Sequence, residues 1–306
     1  QAGFVTDTNH RNAKILSVDP YRVRDSVDKG RVAVVAGAQG ISTDSNVTFL
    51  GRGGSDTTAV ALAHGLGADA CELYTDVSGV FTTDPRVCPS AKRMESISFD
   101  ELLEMTAVGC PKPVMRSVEV ARSFGVPLHV RSAFTWEPGT WVVEEVQDME
   151  HAVIKGIVPD VSQAKLTISG VRDEPGLAAR VFRTLADAGV LVDMIVQNVG
   201  DHAKTDISFT VPLEYFDVAQ STCEEMAKSM GFSSVTGDKN LARVSVVGAG
   251  MASNPGVAAT MFETLASSSI NIEMISTSPI RISCVVAEKD VDRATVALHE
   301  AYGLGN

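Results

Sequence analysis

Short apolar runs alternate with amphipathic stretches through the first half of the chain. The continuous apolar run at 31–36 (RVAVVA) ends at Gly37, which predicts a buried parallel strand. Ser98 and Glu101 have the spacing of a capping box and predict that a helix starts between them. The same pattern predicts helices over 20–28, 56–65, 99–108 and 114–124, and strands over 70–74 and 126–132. This alternation indicates an α/β fold in which a parallel-type sheet carries helices on both faces.

The second half of the chain contains an internal repeat. The repeat places the Pro-Gly pair at 175–176 on the pair at 255–256, an offset of 80 residues, and the Met-Ile pair at 194–195 on that at 274–275. The predicted strand at 165–170 aligns with 243–248, two residues out of step. Each copy reads as strand, Pro-Gly loop, helix, strand, strand and helix, which predicts two ferredoxin-like βαββαβ units. The alternative is that the two units have no binding function and that their sheets pack together only for stability.

A change of composition over 136–147 separates the two halves, and Pro138-Gly139 marks a turn within it. We therefore place a domain boundary near 148–152. The predicted domains are 1–148, 149–238 and 239–306.

Composition narrows the class of protein. The net charge of −12 argues against nucleic acid or an anionic membrane as the main partner, because there is no general basic field to attract either. The five cysteines are odd in number and none forms a CxxC pair, which favours reduced thiols in a cytoplasmic protein. No apolar run reaches the roughly 18 residues of a membrane span.

A glycine-rich segment, 51–59 (GRGGSDTTA), precedes one of the predicted helices. Glycines let the backbone approach an anion closely, and the amides of 54–57 at the helix start would then face it. Arg52 can pair with a carboxylate, and Ser55 can donate a hydroxyl hydrogen bond. The alternative is an ordinary turn in which Ser55 or Asp56 caps the helix.

A second polar segment, 74–86 (YTDVSGVFTTDPR), follows a predicted strand. Loops at the carboxyl edge of a parallel sheet are where ligands usually bind. Asp84-Pro85 could equally form a simple turn, and on this segment alone the turn is the better interpretation.

Together the two segments resemble those of the aspartate kinases, within the amino-acid kinase family. The segment VAVVAGAQG is similar to a third family motif, with Ala38 where Phe is common, and the repeats resemble the paired ACT modules of these enzymes. The resemblance covers essentially all 306 residues. It implies a partial amino-acid kinase lobe followed by two ferredoxin-like ACT domains.

The resemblance also implies an activity. ATP would phosphorylate the β-carboxylate of L-aspartate to give 4-phospho-L-aspartate, the first step of lysine, threonine and methionine biosynthesis.

The resemblance also implies the residues of the active site, with one departure. Lys112 stands one residue after the position of the family's nucleotide-binding lysine, where this chain has Pro111, so a solvated lysine is the alternative there. Mg²⁺ would be held by the nucleotide phosphates, without a protein metal site. Carried over residue by residue, Asp56 would orient the catalytic lysines, aspartate would be held by Arg52, Gly53, Gly54 and Ser55, and ATP by Thr75, Asp76, Phe81, Thr82, Thr83, Asp84, Pro85, Arg86 and Lys112.

In the ACT half, the resemblance implies that lysine and/or threonine binds between modules of two chains, in a homo-oligomer or an α2β2 heteromer. Gln197 is the most discriminating residue, because it is polar on an otherwise apolar strand; an exposed edge-strand glutamine is the alternative. The implied effector residues are Asp173, Pro175, Gly176, Ala178, Asp193, Gln197 and Asn198 in the first copy, and Asn254, Pro255, Gly256, Val257, Asn271, Ile272 and Ser278 in the second.

Two other functions remain open. A non-catalytic, amino-acid-binding regulatory subunit is one, and another amino-acid kinase, for glutamate or carbamate, is the other. The family's opening Lys-Phe-Gly-Gly strand is absent from these 306 residues, so we expect them by themselves to have little aspartate kinase activity. Some aspartate kinases that resemble this chain use an internal start codon to make a free regulatory subunit. Met149 falls where such a start would be expected, although a plain linker residue is the alternative.

Overall fold

The computed structural model describes residues 3–144, 153–172, 174–199 and 204–305. The boundary predicted near 148–152, Met149 and the candidate effector residue Asp173 lie outside these ranges. Within them, none of the helices has the length and apolarity needed to cross a bilayer.

The N-terminal part, residues 3–144, contains two four-stranded mixed sheets. The first has the order β2-β1-β3-β4, and only its β1–β3 pair is parallel. The second has the order β5-β7-β8-β6, in which β5 and β7 are parallel and β7 and β8 antiparallel. The strands are β1 (Phe4–Thr6), β2 (Ile15–Val18), β3 (Gln39–Ser42), β4 (Val47–Phe49), β5 (Cys71–Thr75), β6 (Ser96–Ser98), β7 (Leu128–Ser132) and β8 (Thr140–Val143).

Four helices accompany these sheets, and the periodic pattern predicted all of them. The capping box is confirmed, because the Glu101 N–H donates to Ser98 Oγ and the Ser98 N–H donates to a Glu101 carboxylate oxygen. A continuous core joins α2, α3 and α4 to the second sheet. The helices are α1 (Tyr21–Asp28), α2 (Gly54–Leu66), α3 (Phe99–Ala107) and α4 (Met115–Phe124).

The predicted buried strand at 31–36 is wrong. Residues 31–37 form neither helix nor strand, and Val32 and Val34 are 93% and 97% exposed. An apolar run becomes a buried strand only where a neighbouring strand supplies hydrogen bonds and a covering layer. No described strand lies beside this run.

The first module has the predicted βαββαβ order. Its sheet is antiparallel with the order β11-β12-β10-β13, so β11 lies at an edge. Its core lies between this sheet and the two helices. The elements are β10 (Gln163–Arg172), α5 (Leu177–Asp187), β11 (Ile195–Val199), β12 (Lys204–Pro212), α6 (Phe216–Met230) and β13 (Ser234–Asp238).

The second module takes its fourth strand from a distant part of the chain. Its sheet has the order β15-β16-β14-β9, and β9 (Gly156–Asp160) precedes the first module. The repeat could not reveal this strand, because β9 belongs to neither copy. The limits 149–238 and 239–306 therefore stay predictions. They divide the chain by sequence, whereas strand pairing places β9, from the first of these segments, in the sheet of the second module. The other elements are β14 (Leu241–Val247), α7 (Val257–Ser267), β15 (Met274–Ser278), β16 (Arg281–Ala287) and α8 (Val291–Ala301).

The second module packs directly on the N-terminal part. The Ile157 N–H donates to the Thr82 carbonyl at 2.7 Å, and the Ala249 N–H donates to Glu101 Oε1 at 3.1 Å. Arg281 and Glu104 form an ion pair of 3.0 Å across the same interface. Thus β9, the loop after β14 and β16 all contact the N-terminal part.

Candidate active and effector sites

The glycine-rich loop ends where α2 begins. Gly53 is the N-cap and has φ +71°, a left-handed conformation that favours glycine. A Cβ on Gly53 would lie 2.6 Å from the Val114 side chain, so the loop and the residues before α4 are in close contact. This position therefore needs glycine both for its backbone and for its space.

Two of the four amides expected to face an anion are used within the loop. The Gly54 N–H donates to the Gly51 carbonyl at 3.1 Å, and the Thr57 N–H donates to the Gly53 carbonyl at 3.3 Å. In the described ranges, the N–H groups of Ser55 and Asp56 donate to no protein acceptor outside the helix. The anion-binding potential of this helix start rests on those two amides.

The side chains of Arg52 and Ser55 are exposed, whereas Asp56 is half-buried. Burial raises the pKa of the Cys71 thiol to about 11, and the nearby charge of Asp56 adds to that shift. Asp56 therefore lies close to the start of β5. The loop presents an arginine, a hydroxyl and a carboxylate at one helix start, a set suited to a zwitterionic amino acid.

Two supports of this loop were not foreseen. Arg116, in α4, donates hydrogen bonds to the carbonyls of Leu50 and Ala13 and so holds the chain entering the loop. Ala38 has φ +63°, and its N–H donates to Thr58 Oγ1 at 2.9 Å. Residues 37–38 thus contact the first turn of α2, although 31–36 are not a strand.

The second motif begins at the end of β5. Thr75 Oγ1 donates to Asp76 Oδ1 at 2.8 Å, and this bond and a backbone hydrogen bond lower the pKa of Asp76. The charges of Lys112 and Arg86 lower the pKa of Asp76 further. Asp76 is therefore hydrogen-bonded to Thr75 and lies within electrostatic range of two cations from other parts of the chain.

Asp84, Pro85 and Arg86 form a turn closed by its own ion pair. Arg86 Nη2 lies 2.7 Å from Asp84 Oδ2, and the Arg86 N–H donates to Asp84 Oδ1 at 2.9 Å. The pair lowers the pKa of Asp84 and raises that of Arg86. The segment therefore forms the turn that Asp84-Pro85 indicated. The Arg86 guanidinium is exposed and remains accessible to a ligand.

Thr82 and Thr83 are not part of this exposed turn. Both are buried, and Thr82 Oγ1 lies 2.9 Å from His299 Nε2 in α8. Phe81 is half-buried in an isolated bridge with Arg93. The structure therefore groups Asp76 with Thr75, within electrostatic range of Lys112, and Asp84 with Arg86, whereas Thr82 is hydrogen-bonded to the second module.

The segment 109–114 connects the two motifs. Lys112 is exposed and its charge acts on Asp76, while Val114, two residues later, contacts Gly53. The same segment lies near Asp84, whose charge contributes to raising the pKa of Cys110 to about 11, after burial as the main cause. One short segment thus contacts the glycine-rich loop and carries a lysine within electrostatic range of Asp76.

The glycines of the two Pro-Gly loops have similar left-handed backbone conformations. Gly176 and Gly256 are the N-caps of α5 and α7, with φ +90° and +108°. A Cβ on either would meet no atom within 4 Å, so glycine is needed there for its backbone alone. Exposed prolines precede both, and Ala178 and Val257 are half-buried in the first turns.

The other effector candidates of the first module lie at or before β11. Gln197 is exposed and lies opposite Ile207 in the ladder. Asn198 lies opposite Asp206, and its side chain is outside what the structure describes. Asp193 precedes the strand, and the buried Arg243 donates to its carboxylate.

In the second module, the polar candidates bond to their own surroundings. Asn254 Nδ2 donates to the Gly250 carbonyl at 2.8 Å, and Asn271 Nδ2 lies 3.4 Å from Glu273 Oε1. Ser278 Oγ accepts from the Ile280 N–H at 3.4 Å, and Ile272 packs against the core of the module. Among the described residues, these three polar side chains therefore have local hydrogen-bond partners.

Comparison with known proteins defines the class of each part. The profile of the amino acid kinase family matches residues 1–132, and that of the ACT domain matches residues 166–226 and 244–302. The N-terminal part thus belongs to an amino acid kinase fold, and the two modules are ACT domains.

Full-length relatives identify the family. The aspartokinase of Mycolicibacterium smegmatis is 49% identical over 310 residues, covering 100% of this chain and 74% of the relative. The aspartate kinase of Pseudomonas putida is 48% identical over 305 residues, covering 99% of this chain and 74% of the relative. The chain belongs to the aspartokinase family, which is a family of phosphotransferases.

Solved structures agree with this assignment. Clostridium acetobutylicum aspartate kinase superposes with a TM-score of 0.79 at 27% identity, covering 89% of this chain and 63% of that chain. Escherichia coli aspartokinase III, solved in complex with aspartate and ADP, gives a TM-score of 0.79 at 25% identity and covers 98% of this chain and 68% of that chain. The fold class predicted from sequence is confirmed.

Proposed function

We propose that this chain forms part of an aspartate kinase that transfers the γ-phosphoryl group of ATP to the β-carboxylate of L-aspartate. The product is 4-phospho-L-aspartate, which enters lysine, threonine and methionine biosynthesis in the cytoplasm. The observation that carries the proposal is the contact of Gly53 with Val114, since it joins the glycine-rich loop to the segment whose Lys112 lies within electrostatic range of Asp76. The complex of Escherichia coli aspartokinase III with aspartate and ADP supports a site for both ligands.

Phosphoryl transfer requires mainly alignment of the reactants and neutralisation of the phosphate oxygens. Arg52, Ser55 and the amides of 55–56 would hold the substrate carboxylates, and Asp56 would orient the catalytic lysines of the completed site. Lys112 and Arg86 would neutralise the nucleotide phosphates. Mg²⁺, held by those phosphates, would supply further positive charge.

We further propose feedback regulation by lysine and/or threonine at the ACT domains. The Pro-Gly loops offer helix-start amides for the carboxylate of an amino acid. Escherichia coli aspartokinase III with lysine and aspartate bound gives a TM-score of 0.77 at 25% identity. The edge strands β11 and β15 carry the exposed Ile195 and Ile275, and exposed apolar edges favour pairing with another chain in a homo-oligomer or an α2β2 heteromer.

A regulatory subunit that starts at Met149 is the second candidate. The pairing of β9 with β14 favours it, because a chain that starts there would keep β9 and both complete sheets. Such a product would bind amino acids without catalysing phosphoryl transfer. Immunoblotting for a short product, with and without replacement of the Met149 codon, distinguishes the two candidates.

The test of the catalytic proposal is an assay of acceptor-dependent ADP release. The chain is joined to a family N-terminal segment that carries the Lys-Phe-Gly-Gly strand. We expect release with aspartate but not with glutamate, and Asp56→Asn should lower turnover by about 10²-fold or more. The control Asp69→Asn changes an exposed carboxylate beyond the other end of α2. Equal turnover in both variants would refute the role of Asp56.

A further inference from the structure

The two ACT domains exchange ion pairs that the internal repeat relates to each other. Arg243 in β14 pairs with Asp193, just before β11. Lys165 in β10 pairs with Glu273, just before β15, with Nζ 2.9 Å from Oε2. The repeat places Lys165 on Arg243 and Asp193 on Glu273. The first strand of each domain therefore provides a cation for the acid that precedes the second strand of the other.

The two ion pairs differ in how deeply they are buried and in how many partners the cation has. The side chains of Lys165 and Glu273 are 20% and 38% exposed, whereas Arg243 is 2% exposed. Arg243 also has a second partner, because its Nη2 lies 2.9 Å from Asp160 Oδ2, and Asp160 is 7% exposed. Among the described residues, Lys165 forms an ion pair with Glu273 alone. Of the two cations, Arg243 therefore has the additional contact, with Asp160 on the neighbouring strand β9.

Asp160 lies at the end of β9 and is firmly held there. It accepts hydrogen bonds from the Ser162 N–H and from Gln163 Nε2, both at 2.9 Å. On its other side it contacts Gly109, where an added Cβ would lie 2.9 Å from the Asp160 Cβ. Gly109 begins the 109–114 segment, which carries Lys112. The contacts that begin at Arg243 thus reach the segment that carries Lys112.

We propose that Arg243 is a positioning residue that connects the effector site at Asp193 to the 109–114 segment through Asp160. The inference rests on the proposed function of the ACT domains. Asp193 is 36% exposed, so it can meet the ammonium group of an amino acid while Arg243 holds Oδ2. A bound ammonium shares the charge of Asp193, and Arg243 then interacts more strongly with Asp160.

This arrangement makes amino-acid binding and nucleotide binding depend on each other. Thermodynamic linkage requires that each ligand changes the affinity for the other by the same factor. The coupling factor, defined as the ratio of the amino-acid Kd with and without MgADP, is therefore the quantity that a role in positioning must change. Loss of a merely structural contact would lower stability and leave this ratio intact.

Calorimetry on the 306-residue chain measures that factor, with lysine or threonine titrated in the presence and absence of MgADP. In Arg243→Lys the charge is kept, but one ammonium cannot reach both carboxylates as the guanidinium does. Asp160→Asn removes the charge that pairs with Arg243, and this variant is used if Arg243→Lys fails to fold. Lys165→Met is the matched control, because it breaks the equivalent pair that does not reach Asp160.

We expect a factor of about fivefold or more in the unsubstituted chain. It should fall towards one in Arg243→Lys and in Asp160→Asn and stay unchanged in Lys165→Met. An unchanged factor in the first two variants, or an equal loss in the control, would overturn the inference. A factor of one in the unsubstituted chain, with both ligands bound, also overturns it but leaves the proposed function standing. Failure of that chain to bind either amino acid contradicts the proposed function itself, and the inference with it.

Discussion

Thr82 Oγ1 and His299 Nε2 lie 2.9 Å apart, so a threonine of the second kinase motif is hydrogen-bonded to the last helix of the second ACT domain. His299 is fully buried, and its Nδ1 lies 3.5 Å from Ser90 Oγ. The loop that ends in the Asp84–Arg86 turn is thereby attached to α8. The second ACT domain in this way supports the 74–86 segment structurally.

The buried histidine predicts a loss of stability in acid. Burial lowers the pKa of His299 below its ordinary value of 6.5, so below that pH the unfolded chain binds more protons than the folded one. The contribution of His299 is complete above pH 6.5 and is lost as the pH falls towards the folded pKa. In His299→Gln, the melting temperature should therefore fall less between pH 7.5 and 5.5 than in the unsubstituted chain. His10→Gln, at an exposed site, is the control, and equal acid-side losses in all three proteins would rule the prediction out.

Glu101 connects two parts of the molecule. Its carboxylate completes the capping box of α3 and accepts the Ala249 N–H at 3.1 Å. Ser98→Ala should remove the cap alone at a cost of about 1 kcal/mol, whereas Glu101→Ala should cost about 1–2 kcal/mol more, since it leaves the Ala249 N–H without its partner. Urea unfolding measures both. Equal losses would show that the hydrogen bond to Ala249 adds nothing to stability.

Gly176, the left-handed glycine before α5, allows the effect of a substitution on stability to be measured separately from its effect on ligand binding. Gly176 and Gly189 both have positive φ, and a Cβ on either meets no atom within 4 Å. Alanine at each should therefore cost about 1 kcal/mol of stability. Only Gly176→Ala should weaken binding of lysine or threonine by calorimetry, because only Gly176 belongs to the Pro-Gly loop. Weaker binding in both variants would mean that the loss follows stability rather than the loop.

Gly53 provides the equivalent test in the kinase part. Gly53 and Gly67 cap the two ends of α2 with φ +71° and +66°, but only at Gly53 would a Cβ collide, with Val114 at 2.6 Å. Gly53→Ala should displace the 109–114 segment and weaken MgADP binding by about tenfold, since a misplacement of about 1 Å is costly at such sites. Gly67→Ala should leave MgADP affinity unchanged. Calorimetry of MgADP with both variants checks this, and equal affinities would mean that the contact does not position Lys112.

Features set by neighbouring residues could be predicted from the sequence. The capping box at Ser98 and Glu101 and the repeated Pro-Gly helix starts are local patterns, and the structure confirms them. Features set by distant partners could not be predicted. The position of β9 depends on pairing with β14, and the exposure of 31–36 on the lack of a neighbouring strand.

The same distinction between local features and features set by distant residues applies to the candidate site. The segment 74–86 by itself favoured a turn, and only the family resemblance implied a ligand-binding loop; the sequence could not show that Thr82 would be hydrogen-bonded to α8. Arg243 and Asp160 lie in no motif, and their pairing depends on two strands that are far apart in the chain. Only the packed structure brings such residues together.

One measurement tests the assignment as a feedback-regulated aspartate kinase most directly. ADP release from MgATP is followed for the chain joined to a family N-terminal segment, with and without aspartate, and then with added lysine and threonine. The predicted result is release that requires aspartate and that falls when lysine, threonine or both are added. Release that is independent of aspartate, or aspartate-dependent release that neither amino acid changes, would contradict it.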